Sequence, residues 1–160
     1  MRIVLLLALT LLVSGCQYDP HAHLYTMARP QTADVVGRYA LVSQTVTTDG
    51  ISALDGKLSV VELRTDGTFS ASNVPPYPLF GSPDAGVLKS LVSAAGSWRV
   101  GKVGSVDDGG SLKTHWGIYP ESGTVSLQSA GLTGQKAPFG LVFTVGDPDS
   151  GHAMFLERTK

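Results

Sequence analysis

The side chains with which this chain could do chemistry are few: one thiol, Cys16, four imidazoles, and thirteen carboxylates. A lone cysteine has no partner for a disulfide within the chain, so Cys16 must be free, modified or bonded to another molecule. His21-Ala22-His23 brings two imidazoles close in sequence. A transition-metal site takes three or four rigidly held ligands, and no third stands nearby in this irregular stretch. Asp147-Pro148-Asp149-Ser150-Gly151 clusters carboxylate oxygens of the kind hard cations take, but lacks the glycine spacing and distal glutamate of a calcium loop. The same residues describe a tight turn: Pro fixes φ, Asp side chains bond nearby N–H groups, and Gly supplies positive φ. His115 and His152 fall in strand-like runs and read as surface or edge residues. No Gly-x-Ser-x-Gly elbow is present, and Gly56-Lys57 is followed by Leu58 where a phosphate loop needs Ser or Thr. The aspartates and glutamates lie mainly at turns, and no pair of them stands out for acid–base work. The expectation is a non-catalytic protein with no catalytic residue, cofactor or metal site.

That leaves Cys16, whose context is specific. Arg2 precedes an apolar run over residues 3–13, and the small residues Ser14 and Gly15 lead to the cysteine. Charged start, short apolar core and small-residue cleavage site make the order of a secretory signal. The run is too short to span a bilayer as a helix, which takes about 20 residues. Val13-Ser14-Gly15-Cys16 resembles the lipobox of bacterial lipoproteins. That resemblance implies cleavage after residue 15, a thioether-linked diacylglycerol on Cys16, and a further fatty acyl chain, such as palmitate, on its amine. Two or more chains anchor stably, whereas one holds marginally at about 0.8 kcal/mol per buried CH₂. In Gram-negative lipoproteins an Asp after the cysteine retains the protein at the inner membrane. Gln17 stands there, so the expected place in such a cell is the periplasmic face of the outer membrane.

The division that follows is a signal peptide over 1–15, the lipidated Cys16 with a tether over 16–36, and one domain over 37–160. The tether mixes prolines, histidines and polar residues without a period, with Leu24, Tyr25 and Met27 as residues that could lie on the domain. The formal net charge is −1, and loss of Arg2 with the leader makes it one unit more negative. No basic cluster is present, so nucleic acid is excluded as a partner. A chain of 160 residues has room for one core.

From Gly37 the pattern is that of short β-rich runs cut by turn residues. Candidate strands cover 37–47, 57–64, 68–72, 96–103, 111–119, 124–129, 139–145 and 152–158. Thr65-Asp66-Gly67 is an Asp-Gly hairpin signal between two of them. The last two are divided by residues 146–151. Phe139, Leu141, Phe143 and Val145 share one face at period two. One helix is expected over 82–95: Ser82 as cap, Pro83 at the first position, Asp84 at the dipole's positive end, and Leu88, Leu91, Val92 and Ala95 at helical spacing. Gly96 would end it. Ahead of it, Pro75, Pro76 and Pro78 exclude a central strand. Eight antiparallel strands joined by short turns predict an all-β, up-and-down barrel with one short helix, since closure removes sheet edges. A two-sheet β-sandwich is the alternative.

Val36-Gly37-Arg38-Tyr39-Ala40-Leu41-Val42-Ser43 resembles the opening strand of lipocalin-like domains, which read Val-Gly-x-Trp; Tyr39 stands in place of the Trp. In lipocalins an Arg near the end of the last strand packs over that Trp, and Arg158 occupies a comparable place. The hairpin over 65–69, the Gly96-Ser97-Trp98 strand start and the segment 140–157 are also similar to a group of small bacterial lipoproteins of unknown function. These likenesses imply a fold, which by itself does not license an activity.

Two functions fit. One is a binding module that takes a small apolar or amphipathic molecule in the barrel mouth. The other is a filled barrel that presents its loops to another envelope protein. Tyr39, Phe69, Trp98, Trp116, Tyr119, Phe139, Phe143 and Phe155 decide between them, since each large ring buries about 150–250 Å² and inward-facing rings would fill a small barrel.

Overall fold

The computed structural model describes residues 19–46, 59–76, 91–107 and 110–160. Eight strands form one closed antiparallel barrel in which each pairs with the next and the last returns to the first. They are β1 (Gly37–Gln44), β2 (Val60–Leu63), β3 (Thr68–Val74), β4 (Val92–Asp107), β5 (Leu112–Glu121), β6 (Ala130–Thr133), β7 (Gly140–Thr144) and β8 (Ala153–Arg158). This is the up-and-down barrel, not the sandwich. Closure satisfies the backbone donors and acceptors that two open edges would have left bare.

Period-two alternation sets which side chains enter the barrel. Tyr39, Val61, Leu63, Phe69, Ala71, Trp98, Ile118, Leu132, Leu141, Phe143, Met154 and Leu156 belong to one buried cluster contributed by all eight strands. Register brings them face to face: Tyr39 opposite Val61, Leu63 opposite Phe69, and Phe143 opposite Met154. The β2–β3 hairpin turns where the Asp-Gly signal stands. Gly67 takes φ +80°, and Asp66 Oδ1 accepts from the Thr68 backbone N–H at 2.9 Å and from the Thr68 hydroxyl at 2.7 Å. Trp98 closes that end of the core, its indole N–H donating to the Arg64 carbonyl at 3.1 Å. A one-turn helix, α1 (Thr32–Val35), plugs the same interior: Val35 is fully buried in the cluster, and its carbonyl accepts the Tyr39 hydroxyl at 2.5 Å.

Two elements differ from expectation. Residues 124–129 are not a strand; only Leu127 makes an isolated bridge, to Pro76. The sixth strand is Ala130–Thr133, which places Ala130 and Leu132 in the interior. Ala-Gly-Leu-Thr has the small residues of a turn, and its strand state comes from pairing with β7 rather than from local propensity. The helix expected over 82–95 cannot run to its proposed end, because β4 begins at Val92. Val74 pairs with Val92, Ala71 with Ala94 and Phe69 with Gly96, so the small apolar residues follow the sheet's period of two. Gly96 is a strand residue there, its Cα against the Glu121 backbone. The rest of that expected helix, 82–90, lies outside the described residues.

The described part of the stretch read as a tether packs on the domain, as Tyr25 allowed. Residues 19–36 lie against the barrel, with Tyr25, Thr26 and Val35 buried. β5 and β6 pair only at Gly117–Gly131 and Ile118–Ala130. Where they diverge, Thr26 stands between them, its N–H donating to the Leu132 carbonyl at 2.8 Å and its carbonyl accepting the Trp116 N–H at 3.0 Å. The Thr26 hydroxyl donates to the Gly134 carbonyl at 2.6 Å. The N-terminal segment thus supplies backbone partners that the β5–β6 seam lacks.

Candidate functional site

The barrel interior is occupied by protein. Tyr39, Phe69, Trp98, Phe139 and Phe143 belong to the core cluster. Trp116 lies under the Arg29 guanidinium at 5.4 Å and Tyr119 under that of Arg99 at 4.5 Å, while Phe155 meets the His21 ring edge-on at 5.1 Å. Five large rings thus lie in the core of an eight-stranded barrel, a size whose interior side chains can fill. A shallow groove of 410 Å³ opens at the barrel end around Gly37, Leu63 and Asp66. Among the described residues a larger space, of 660 Å³, lies on the outside.

Beneath it, three outward-facing glycines fall in register and are covered by larger side chains. Gly101 is opposite Gly117, and Gly117 is opposite Gly131, so three neighbouring strands present no Cβ at one level of the outer face. Larger side chains occupy the trough. The Tyr119 ring covers Gly101, Val103 covers Gly117, and the Tyr25 ring lies on Gly131 so closely that an added Cβ would overlap it. Val103 reaches Gly117 because the β4–β5 register shifts between Lys102 and Gly104. Such a bulge re-aims a side chain. Tyr25 also packs with Val142 and Ala153 in a small outer apolar cluster that Val103 and Phe155 extend.

The cleft, of 660 Å³, is walled in part by Asp19, Tyr25, His115, Gln128, Val142 and Asp149. That volume is within the usual range of small-molecule sites, about 300–1,000 Å³. Tyr25 and His115 form a parallel stack, with centroids 4.4 Å apart and ring planes 1° from parallel. The Tyr25 hydroxyl meets Thr144 Oγ1 at 3.2 Å. His115 is only 6% exposed, and its Nε2 is buried without a hydrogen-bond partner. A buried polar atom left unpaired costs about 1–3 kcal/mol, so this one marks either a strained site or a site with a missing partner.

Electrostatics keep the stacked pair neutral. Burial lowers the His115 pKa below its ordinary 6.5, with the Asp19 carboxylate pulling the other way. Burial raises Tyr25 above 10.0; its bond to Thr144 opposes the shift and Asp19 adds to it. Near pH 7 the pair therefore offers an uncharged imidazole and phenol beside a carboxylate. Asp19 itself is held by its turn, Oδ1 accepting the His21 backbone N–H at 2.8 Å.

The residues singled out by sequence separate into distinct places. Cys16 lies outside the described residues. His21 binds the Gly151 carbonyl through Nε2 at 2.9 Å, while its neighbour His23 is exposed, so the two are not used together. His152 sits at the surface with Nδ1 3.3 Å from the Thr45 carbonyl. His115 is not the surface residue expected but one half of a buried stack. Asp147–Gly151 forms a turn: Asp147 Oδ1 accepts the Asp149 N–H at 3.1 Å, and Gly151 takes φ +70°. Arg158 pairs with Tyr39 in register, yet its guanidinium does not stack on that ring; it reaches the Asp34 carbonyl at 3.4 Å. Sequence reasoning missed Asp19, Gln128 and the glycine row. The spaced glycines of strands 4 to 6 were the available signal, but only register aligns them.

Comparison with protein-family models, curated proteins and solved structures finds no match.

Proposed function

We propose that this chain is a lipid-anchored envelope protein whose barrel is a filled scaffold and whose non-catalytic binding surface is the outer cleft over Tyr25 and His115. The observation that carries this reading is where the space lies. Side chains occupy the lumen, and the cleft with the unpaired imidazole nitrogen is on the outer face. The ligand is a small amphipathic molecule, taken on the side of the barrel and not in its mouth.

The anchor supports the same reading. If Cys16 carries diacylglycerol, only Gln17 and Tyr18 separate it from Asp19, a wall residue of the cleft. Three Cα–Cα steps span at most about 11 Å. An acylated Cys16 would thus hold the cleft against the membrane surface, where amphipathic molecules concentrate. With Gln17 after the cysteine, the outer membrane's periplasmic face is the place proposed for a Gram-negative cell.

Two measurements on protein extracted from membranes test this. Intact mass of the wild type should exceed that of residues 16–160 by a diacylglyceryl group and an acyl chain, and Cys16→Ser should lose that increment. A Cys16→Ser protein with full acyl mass would sink the anchor. Native mass spectrometry of the wild type should show a bound small molecule that Gly131→Trp, which displaces the Tyr25 ring from the cleft wall, no longer carries. Equal loading of both proteins would move the site elsewhere.

A second reading is a protein-interaction lipoprotein. It is favoured by Leu112, which is 70% exposed at the start of β5 on the long β4–β5 hairpin. Cross-linking in whole cells from position 112 to an envelope protein, lost in Leu112→Lys, would support it.

A further inference from the structure

We infer that the N-terminal segment is a latch released by acid: charging of the His115 imidazole undocks residues 19–26 from the β5–β6 seam while the barrel stays closed. The latch itself needs neither acylation nor a ligand. Its consequence rests on the acylated Cys16 proposed above, since release would turn residues 19–31 from a cover on the barrel into tether, extending by at most about 45 Å.

Three observations lead to it. First, His115 lies between a part that stays and a part that can leave. Its strand is held by β4, with Gly104 opposite, whereas Tyr25, stacked on its ring at 4.4 Å, belongs to the docked segment. Second, the ring is 6% exposed and its Nε2 is buried without a partner. An imidazolium is a donor at both nitrogens. A charged His115 would therefore bury an ionic donor with no acceptor, which is costly. Lifting Tyr25 off the ring lets water supply that acceptor without moving β5. Third, the segment is fastened separately from the core. Tyr25 packs with Val142 and Ala153 in an outer cluster, apart from the interior cluster. Thr26 bridges β5 and β6, yet these strands also pair directly at Gly117–Gly131 and Ile118–Ala130. The segment can thus open as a local unit while closure of the barrel survives.

The other titrating groups of the segment do not supply the trigger. His21 donates through Nε2 to the Gly151 carbonyl; a carbonyl only accepts, so that bond is made in either charge state. His23 is exposed, and Tyr25 stays neutral because burial raises its pKa. The charged groups around His115 are Asp19 from the segment, Asp149 across the cleft, Lys113 two residues along β5, and Lys102 and Asp107 on β4. Burial lowers the His115 pKa from 6.5 and outweighs the Asp19 carboxylate, which pulls it up. Above pH 6.5 the docked and open forms are both neutral at this residue, and docking is unaffected. Between 6.5 and the docked value the open form takes up the proton, so docking weakens by up to about tenfold per pH unit. Below the docked value no further loss follows.

The test uses residues 16–160 with Cys16→Ser, read by amide hydrogen exchange from about pH 7.5 to about pH 5.5, either side of the ordinary imidazole pKa. Protection factors of the Thr26 and Trp116 amides, which bond Leu132 and Thr26, should fall by up to about tenfold per pH unit below 6.5. Those of β2 and β3 should stay level. In His115→Phe, which keeps a flat ring against Tyr25 and cannot charge, the Thr26 and Trp116 factors should stay level as well. The His115 ring gives a second reading that does not depend on that variant. Its titration, followed by imidazole ¹⁵N shifts, should lie below 6.5 in the Cys16→Ser protein and return toward 6.5 when Tyr25→Ala is added. Level protection of Thr26 and Trp116 across the range would overturn the latch, as would an equal fall in His115→Phe. A fall shared by the β2 and β3 amides would replace it with unfolding of the whole barrel. A titration that Tyr25→Ala leaves in place would show that the segment is not the cover, and the latch would fall on that ground. None of these outcomes touches the anchor, which is read by intact mass, or the cleft, which is read by its bound molecule.

Discussion

Tyr39 and Arg158 are direct partners across the β1–β8 seam that closes the barrel. Directly paired residues on antiparallel strands point to the same side, and here they divide the work. The Tyr39 ring is fully buried in the core, where burial raises its pKa to about 12 against the opposing influence of Arg158. Arg158 stays exposed, runs over Gly37 and donates to the Asp34 carbonyl. Between them they join the first strand, the last strand and the helix that plugs the end.

Tyr39→Ala should cost about 3–5 kcal/mol, the range for removing a buried ring. Tyr39→Phe should cost about 1–2 kcal/mol, because the fully buried Val35 would keep a carbonyl with no hydroxyl to accept. Arg158→Ala should stay within about 1 kcal/mol, as its contacts are exposed. Urea unfolding of the three variants gives the order. An Arg158→Ala loss equal to that of Tyr39→Ala would mean that the guanidinium has a larger role in closing the barrel than these contacts allow.

Gly151 ends the 148–150 turn in the left-handed region, at φ +70° and ψ 14°. An Ala there adds backbone strain, about 1 kcal/mol. Its Cβ would also stand 3.0 Å from the Pro20 ring of the docked N-terminal segment. Gly151→Ala should lower the melting temperature equally in calcium and in chelator. A calcium-dependent difference would point to a cation in this turn.

The barrel was legible because alternation and turn chemistry are local: Tyr39, Phe69, Leu141 and Phe143 enter the core from runs that read as strands. Where local chemistry is weak, the reading failed. Ala94, Ala95 and Gly96 fit a helix or a strand equally, and only pairing with Phe69 and Ala71 settles it. Leu127 looked like a strand centre, yet the strand forms at Ala130, where β7 offers a partner. The site was the least visible part. Tyr25 is bonded to Thr144, 119 positions away, and its stacking on His115 depends on a seam that β5 and β6 leave open. Leu24, Tyr25 and Met27 marked a segment that could lie on the domain, but nothing in the sequence pairs Tyr25 with His115.

Stability should fall with acidification through His115. Its folded pKa lies below the unfolded value of 6.5, so between the two values the unfolded chain binds the extra proton. Above 6.5 both states are neutral at this residue and stability is unaffected. As pH drops through 6.5 and past the folded value, stability is lost, because the buried ring must charge or leave its site. His115→Phe keeps a flat ring against Tyr25 and removes the titration. The variant should show a flatter stability profile than the wild type between about pH 5 and 7, above the ordinary carboxylate range. Parallel profiles would assign the slope to other groups.

Gly131 tests how the N-terminal segment is held. A Cβ at this position would occupy the space of the Tyr25 ring, while the neighbouring Val142 side chain lies 3.0 Å away. Inside the barrel nothing changes, because Gly131 is on the outer face and its interior neighbours Ala130 and Leu132 keep their contacts. Gly131→Ala should therefore displace Tyr25 from its stack on His115 and loosen the bonds that Thr26 makes to β5 and β6. The cost should be about 1–3 kcal/mol, the range for overpacking a close contact. Hydrogen exchange locates the effect. The Thr26 and Trp116 amides, which bond across the seam, should lose protection, while β2 and β3 amides keep theirs. Tyr25→Ala should reproduce the Thr26 and Trp116 losses without crowding Gly131. If both variants leave those two amides protected, the ring is not what holds the segment on the barrel.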